Sequence, residues 1–254
     1  MTVPATLAPT FASPAHLQPI LAQQGYAALS PHGVCELVGC DAAALDSLRG
    51  SWNDLPSDRY LKDGGKYRRR RHACFVVHGK VVEQVPHRAH WQPLEYNALH
   101  GGMQRWFEPM QAEMVQRPVW TGLLRWMGGL CSALRGPQAW FVEAHQFRID
   151  TTDGIGRPTP EGAHRDGVDF VAVFLVDRVG IKGGETRIFE AAGPNGQRFT
   201  LTEPWSLLLL DDARVIHEST PIQPIGAQGH RDTLVLTFRA DGFQGEGVPP
   251  RTPA

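Results

Sequence analysis

The stretch "PEGAHRDGVDFVAVFLV", Pro160 to Val176, changes texture at Asp169. Its second half, "DFVAVFLV", is rich in β-branched and aromatic residues over a strand's length, which predicts a buried strand. Its first half is a polar turn in which two residues that bind metals, His164 and Asp166, stand one position apart beside Gly167. Along an extended chain, residues i and i+2 point to the same side, so an imidazole and a carboxylate would enter one space. His-x-Asp also arises by chance, and a solvated polar loop is the alternative at this point.

The strand texture recurs on either side. "WFVEAHQFRI" (140–149), "TRIFEA" (186–191), "WSLLLLD" (205–211) and "TLVLTF" (233–238) are each strand length, separated by turn signals such as Gly183-Gly184 and "GPNG" (193–196). Ahead of Trp140 the pattern is helical. Ser13-Pro14 opens a helix toward Gln24 that stops at Gly25, and Asp41 caps a short one through Leu48. After Pro118, residues Trp120, Leu123, Leu124, Met127, Leu130, Cys131 and Leu134 recur at helical intervals up to Gly136-Pro137. Met103 to Val115 is expected to be helical too. The chain is therefore read as mainly β with N-terminal α-helices, an antiparallel sandwich or barrel braced by helices. One domain is expected over 13–241, with 13–137 the mainly helical support and 138–241 the β core. Residues 1–12 and 242–254 are expected as flexible ends.

Composition narrows the partners. With 254 residues, 42% hydrophobic and 20% charged, the chain is long enough to bury a substantial core as one large domain or two small ones. A formal net charge of −1 gives no electrostatic case for nucleic acid or an anionic membrane. Cys35, Cys40, Cys74 and Cys131 form no CxxC pair, which argues against a zinc ribbon or a disulfide framework. No signal-peptide pattern and no membrane-length apolar run is present, so a cytoplasmic protein is expected.

A third metal ligand is offered by His217, which the run "LLLLDDARVIHEST" (207–220) delivers through the core. A core histidine satisfied by backbone is the bland alternative. The 53 residues from His164 leave room for about three strands and a return to the same barrel mouth. Two histidines and a carboxylate on one face of a metal leave open positions, the mark of non-haem Fe(II) oxygenases. A structural zinc would want four closed ligands, usually with cysteine, and no cysteine follows Cys131. Farther on, Arg231 and Thr233 share one strand face in "HRDTLVLTF". A guanidinium and a hydroxyl so placed suit the distal carboxylate of a 2-oxo diacid; the alternative is that Arg231 pairs with a structural acid such as Asp211 or Asp212.

His164-x-Asp166, then His217, then Arg231-x-Thr233 resembles the pattern of the Fe(II)/2-oxoglutarate-dependent dioxygenases. "HQFRI" (145–149), "PEGAHRDGVDFV", "GGET" (183–186), "LLLLDDARVIHESTPI", "GHRDTLVLTF" and "DRYLKDGGKYRRRR" (58–71) are similar to the bacterial group containing the L-isoleucine 4-hydroxylases, over roughly Gly25 to Arg239. The resemblance implies a double-stranded β-helix (jelly roll, cupin-like), iron on His164, Asp166 and His217, and 2-oxoglutarate on Arg231 and Thr233. It also implies O2 as co-substrate, ascorbate as a stimulant, and hydroxylation or sulfoxidation of a free aliphatic L-amino acid.

Other residues are weighed beside these. In "KYRRRR" (66–71), read as a strand, Arg68 and Arg70 share one face and Arg69 and Arg71 the other. One face then reaches a substrate carboxylate or the run is simply solvated or structural, with nucleic acid as a further alternative. Gln146 and Arg148 share a face that is cavity-facing in one reading and core hydrogen bonding in the other. His78, His87, His90 and His100 lack a ligand spacing and are read as surface or packing residues. The competing functions are a catalytically silent jelly-roll binding protein and a nucleic-acid oxidative demethylase.

Overall fold

The computed structural model describes residues 6–246. Twelve strands are formed: β1 (Tyr26–Leu29), β2 (Arg68–His78), β3 (Val81–Gln84), β4 (Ala139–Asp150), β5 (Phe170–Val179), β6 (Ile181–Gly183), β7 (Thr186–Glu190), β8 (Gly196–Phe199), β9 (Leu207–Asp211), β10 (Val215–Ser219), β11 (Ile222–Pro224) and β12 (His230–Arg239). They build a seven-stranded sheet ordered β1-β9-β5-β12-β4-β2-β3, a three-stranded sheet β10-β7-β8 and a two-stranded sheet β11-β6. All strand pairs are antiparallel. The fold is a double-stranded β-helix with helices on one side.

Those helices are α1 (Leu17–Gln24), α2 (Pro31–Val38), α3 (Ala42–Asp46), α4 (Ala112–Val115) and α5 (Pro118–Arg135). Ser30 caps α2 by accepting the Gly33 N–H, and Asp41 caps α3 by accepting that of Ala44. Both satisfy donors that a helix start otherwise leaves unpaired. The apolar stripe of α5, including Trp120, Leu123, Leu124 and Met127, packs into the larger core beneath the large sheet. That core takes one face of each strand: Ala73, Phe75 and Val77 from β2, Trp140, Val142 and Ala144 from β4, Leu234, Leu236 and Phe238 from β12. The opposite face packs partly on the smaller sheet, through Val171, Leu175 and Ile188. The rest of that face lines a cavity.

Three expectations change. The N-terminal half is less helical than its sequence suggests, because β1, β2 and β3 all join the large sheet. Met103 to Val115 holds only the four residues of α4. There, Arg105 exchanges both backbone hydrogen bonds with His90, an extended pairing that overrides helical propensity. The ends are also structured where described. Ala12 donates its N–H to the Ala28 carbonyl, and Phe243 is buried edge-on to Phe141. Residues 1–5 and 247–254, part of the expected flexible ends, lie outside the described residues. All four cysteines are free, and no helix of the described chain is long and apolar enough to cross a membrane.

Candidate active site

The large sheet's register sets the site. Across β2, β4 and β12, Arg68 lies opposite Ile149 and Ile149 opposite Arg231. The next rows on the same face are Arg70, Phe147 and Thr233, then His72, His145 and Val235, then Cys74, Glu143 and Thr237. Most of these side chains, with His164, Asp166 and His217, line one cavity of about 1100 Å³, part of it open to solvent.

His164 and His217 are held side by side by backbone: each donates its N–H to the other's carbonyl, at 3.0 and 2.9 Å. The turn carrying Asp166 is fastened by Asp212. Its buried carboxylate accepts the N–H groups of Asp166, Gly167 and Val168 at 3.0, 2.7 and 3.1 Å. Burial and the Asp166 charge push the Asp212 carboxyl up to about 6. Gly167 is required in this turn, since its φ is +75° and a Cβ would run into the Tyr96 ring.

The ligand-type atoms of His164, Asp166 and His217 lie within 4.8 Å of one another. His164 Nε2 is 3.9 Å from Asp166 Oδ1, and His217 Nε2 is 3.7 Å from Asp166 Oδ2. These gaps exceed hydrogen-bond length and leave room for an ion between the three groups. The tautomer agrees. His164 Nδ1 sits 2.9 Å from the Gly162 carbonyl, which only accepts, so its proton is there and Nε2 presents a lone pair inward. Gln92 Nε2 donates to Asp166 Oδ1 at 3.2 Å and orients that carboxylate. Burial alone would lower the His164 pKa, but Asp166 and then Glu161 overcome it and raise it. Glu161 was not singled out in the sequence; its Oε1 is 3.6 Å from His164 Nε2. The donor set of two imidazoles and one carboxylate fits a divalent iron with positions left over.

Arg231 is 5% exposed, lines the cavity and forms no ion pair among the described residues. The alternative partners are otherwise engaged: Asp211 pairs with Arg135 at 2.6 Å, and Asp212 holds the metal-site turn. Burial, then the Arg178 charge, bring the Arg231 pKa down to about 10. Thr233 lines the cavity two residues on.

Arg68 and Arg70 face the cavity, whereas Arg69 and Arg71 face outward toward Asp150 and Asp54. Arg68 Nε donates to Asp58 at 2.7 Å, and Arg70 is stacked between Phe107 and Phe147. Gln146 requires a correction. It has the opposite parity, is wholly buried, and donates to Ser51 Oγ at 2.7 Å away from the cavity. Arg148, on that same side, pairs with Asp232.

A second group, His72, His90, Glu143 and His145, also has its ligand-type atoms within 4.8 Å of one another. Its spacing in sequence is irregular, and of the two readings given for His90, surface or packing, the structure shows a buried residue that also lines the cavity. The signal available was the alternation of Glu143 and His145 with apolar residues along β4.

A jelly roll whose cavity joins a two-histidine, one-carboxylate cluster to a buried unpaired arginine defines a class, the non-haem iron oxygenases. The sequence profile of the 2OG-Fe dioxygenases matches residues 49–237, and the chain belongs to that family. Its members use Fe(II), 2-oxoglutarate and O2. A crystal structure of a bsmA homolog from Methylobium petroleophilum PM1 is 54% identical, with a TM-score of 0.88 over 93% of this chain and 97% of that one. IDO from Bacillus thuringiensis shares the fold at 17% identity and a TM-score of 0.73, covering 90% of this chain and 100% of its own. The Fe(II)/α-ketoglutarate-dependent dioxygenase TqaL does so at 20% and 0.71, over 92% and 89%. No curated protein matches the chain.

Proposed function

We propose that this oxygenase hydroxylates, or oxidises at a thioether sulfur, a free aliphatic L-amino acid, as the L-isoleucine 4-hydroxylase-like group does. In this reading a single domain spans 13–241, as the family match over 49–237 favours. His164, Asp166 and His217 hold the iron, and Arg231 with Thr233 takes the distal carboxylate of 2-oxoglutarate. The observation that carries it is the buried, unpaired Arg231 on the same cavity wall as the cluster. A guanidinium kept without a partner inside a protein is costly unless an anion arrives.

Bound iron and 2-oxoglutarate supply O2 activation coupled to decarboxylation. The chain's own residues do the rest. Gln92 and Gly162 orient the ligands, Asp212 fixes their turn, and Phe147, Val173 and Val235 keep part of the cavity wall apolar. Arg70 supplies positive charge for a substrate carboxylate, with Arg68 beside it on the same wall and paired to Asp58. Because both are buried and Arg69 and Arg71 are paired with acids, residues 68–71 present no free basic stripe of the kind a nucleic-acid demethylase would use.

The test is 2-oxoglutarate consumption and succinate formation over the common L-amino acids, with mass spectrometry for a gain of one oxygen. Substrate-dependent turnover with an oxidised amino acid is expected. Turnover with none of them, alongside tight amino-acid binding, would instead make the protein a binder.

A further inference from the structure

We propose that Glu143 is the ammonium site of this cavity, its Oε1 accepting the α-amino group of a substrate whose carboxylate lies against Arg70 and Arg105. The inference rests on the amino-acid reading above and assigns the residues that would recognise the zwitterion.

Glu143 is 6% exposed and projects from β4 into the cavity. Its Oε2 is crowded: His72 Nε2 lies at 3.0 Å, His90 Nδ1 at 2.5 Å and His145 Nε2 at 3.7 Å. Its Oε1 receives no hydrogen bond from the described residues and is not sealed off from the cavity. Burial alone would favour the neutral acid, but His90 and His72 hold the carboxyl well below the usual carboxylate range. An ionised carboxylate therefore presents one satisfied oxygen to the protein and one bare oxygen to whatever enters. A buried charge of that kind is balanced by a cation from the ligand.

A metal ion is the other candidate for this cluster, and the hydrogen bonds argue against it. Arg70 Nη2 lies 2.8 Å from His145 Nδ1, and a guanidinium only donates, so His145 carries its proton on Nε2. That N–H points toward Glu143 and offers no lone pair to a metal. Oε2 itself occupies the point where the imidazoles converge. A dication there would also sit beside two guanidiniums, Arg70 and Arg105.

The opposite end of a zwitterion is equally provided for. Arg70 Nη1 and Arg105 Nη1 have no hydrogen-bond partner among the described residues and are not sealed off, and both residues line the cavity. Arg105 Nη2 donates to Gln92 Oε1 at 2.8 Å, and Gln92 in turn holds Asp166. A carboxylate on Arg105 is thus two hydrogen bonds from the proposed metal ligand. The side chain of the bound molecule is left among Phe147, Val173 and Val235, facing the reacting centre.

The test compares each aliphatic L-amino acid with its 2-hydroxy acid, which keeps the skeleton and lacks the cation. In wild type the amino acid should have the lower KM by about 10- to 150-fold, the range of one charged hydrogen bond. Glu143→Gln should raise the amino-acid KM by a similar factor and remove the preference. The KM for 2-oxoglutarate and the one bound iron per chain should not change. If Glu143→Gln fails to fold, thermal shift of the wild type by amino acid against hydroxy acid decides the matter without a variant. Equal use or equal stabilisation by the two acids overturns the proposal, as does a second metal ion per chain that Glu143→Gln loses. Amino-acid turnover with an indifferent Glu143→Gln sinks this site alone. Wild-type turnover of other small molecules but of no amino acid sinks the substrate reading and this site with it.

Discussion

Replacing Arg231 by Met separates a functional cation from a structural one. The guanidinium is 5% exposed, and burial, then the Arg178 charge, bring its pKa down to about 10. At about 1.4 kcal/mol per tenfold, the charged form carries a penalty of about 3 kcal/mol in the unliganded fold. The sign follows from the depressed value: the penalty is present at every pH below about 10 and fades only as the group deprotonates above it. Met keeps most of the stem and removes the charge, so part of that penalty is recovered against some loss of packing. A net gain of about 1–2 kcal/mol would raise Tm by about 2–8 °C in a chain this size. The same change removes a charged hydrogen bond to 2-oxoglutarate, worth about 1.5–3 kcal/mol, and should raise its KM about 10- to 150-fold. Iron content should be unchanged. The assay pair is differential scanning fluorimetry without and with 2-oxoglutarate, and initial rates against 2-oxoglutarate concentration. In wild type 2-oxoglutarate should raise Tm, and in the variant it should not. A lower Tm with an unchanged KM would show that Arg231 braces the fold, and the cosubstrate assignment would be wrong.

Three further outcomes are expected. His164→Ala or Asp166→Ala should abolish iron binding, read by metal analysis after dialysis, together with turnover; retained iron would remove the metal assignment. Gln92→Leu takes the hydrogen bond from Asp166 Oδ1 and should weaken iron binding by about 10- to 100-fold, measured by chelator competition. His90, whose pKa burial lowers from 6.5 to about 4, favours the fold only while neutral. The unfolded chain takes up its proton first, so stability is full above pH 6.5 and is lost as pH falls toward 4. At pH 5 the loss amounts to about 2 kcal/mol, and a His90→Gln variant should show a flatter Tm profile between pH 7 and 5.

The parts of the site that lie close in sequence, or that follow strand period, could be read in advance. His164 and Asp166 are two apart in one turn, Arg231 and Thr233 two apart on β12, and the leucine run marks the strand that leads to His217. The β2 alternation likewise divides Arg68 and Arg70 from Arg69 and Arg71. Parity was the weak point on β4. Gln146 and Arg148 differ by one position from His145 and Phe147, and that single step moves a side chain from the cavity to the far side of the sheet. The histidine cluster was invisible for another reason. His72 and Glu143 meet only because β2 and β4 are paired, and His90 arrives from a loop with no strand period to count. Arg105 was hidden inside a segment whose composition favours helix but whose backbone is committed to pairing with His90.

The segment after β12 bears on how the protein is handled. Gln244 Nε2 donates to the carbonyls of Asp166 and Gly167, at 2.9 and 2.7 Å, so a residue beyond the family-matched span grips the turn that carries Asp166. Trimming to the family-matched span would keep most of the sheet and strip that grip.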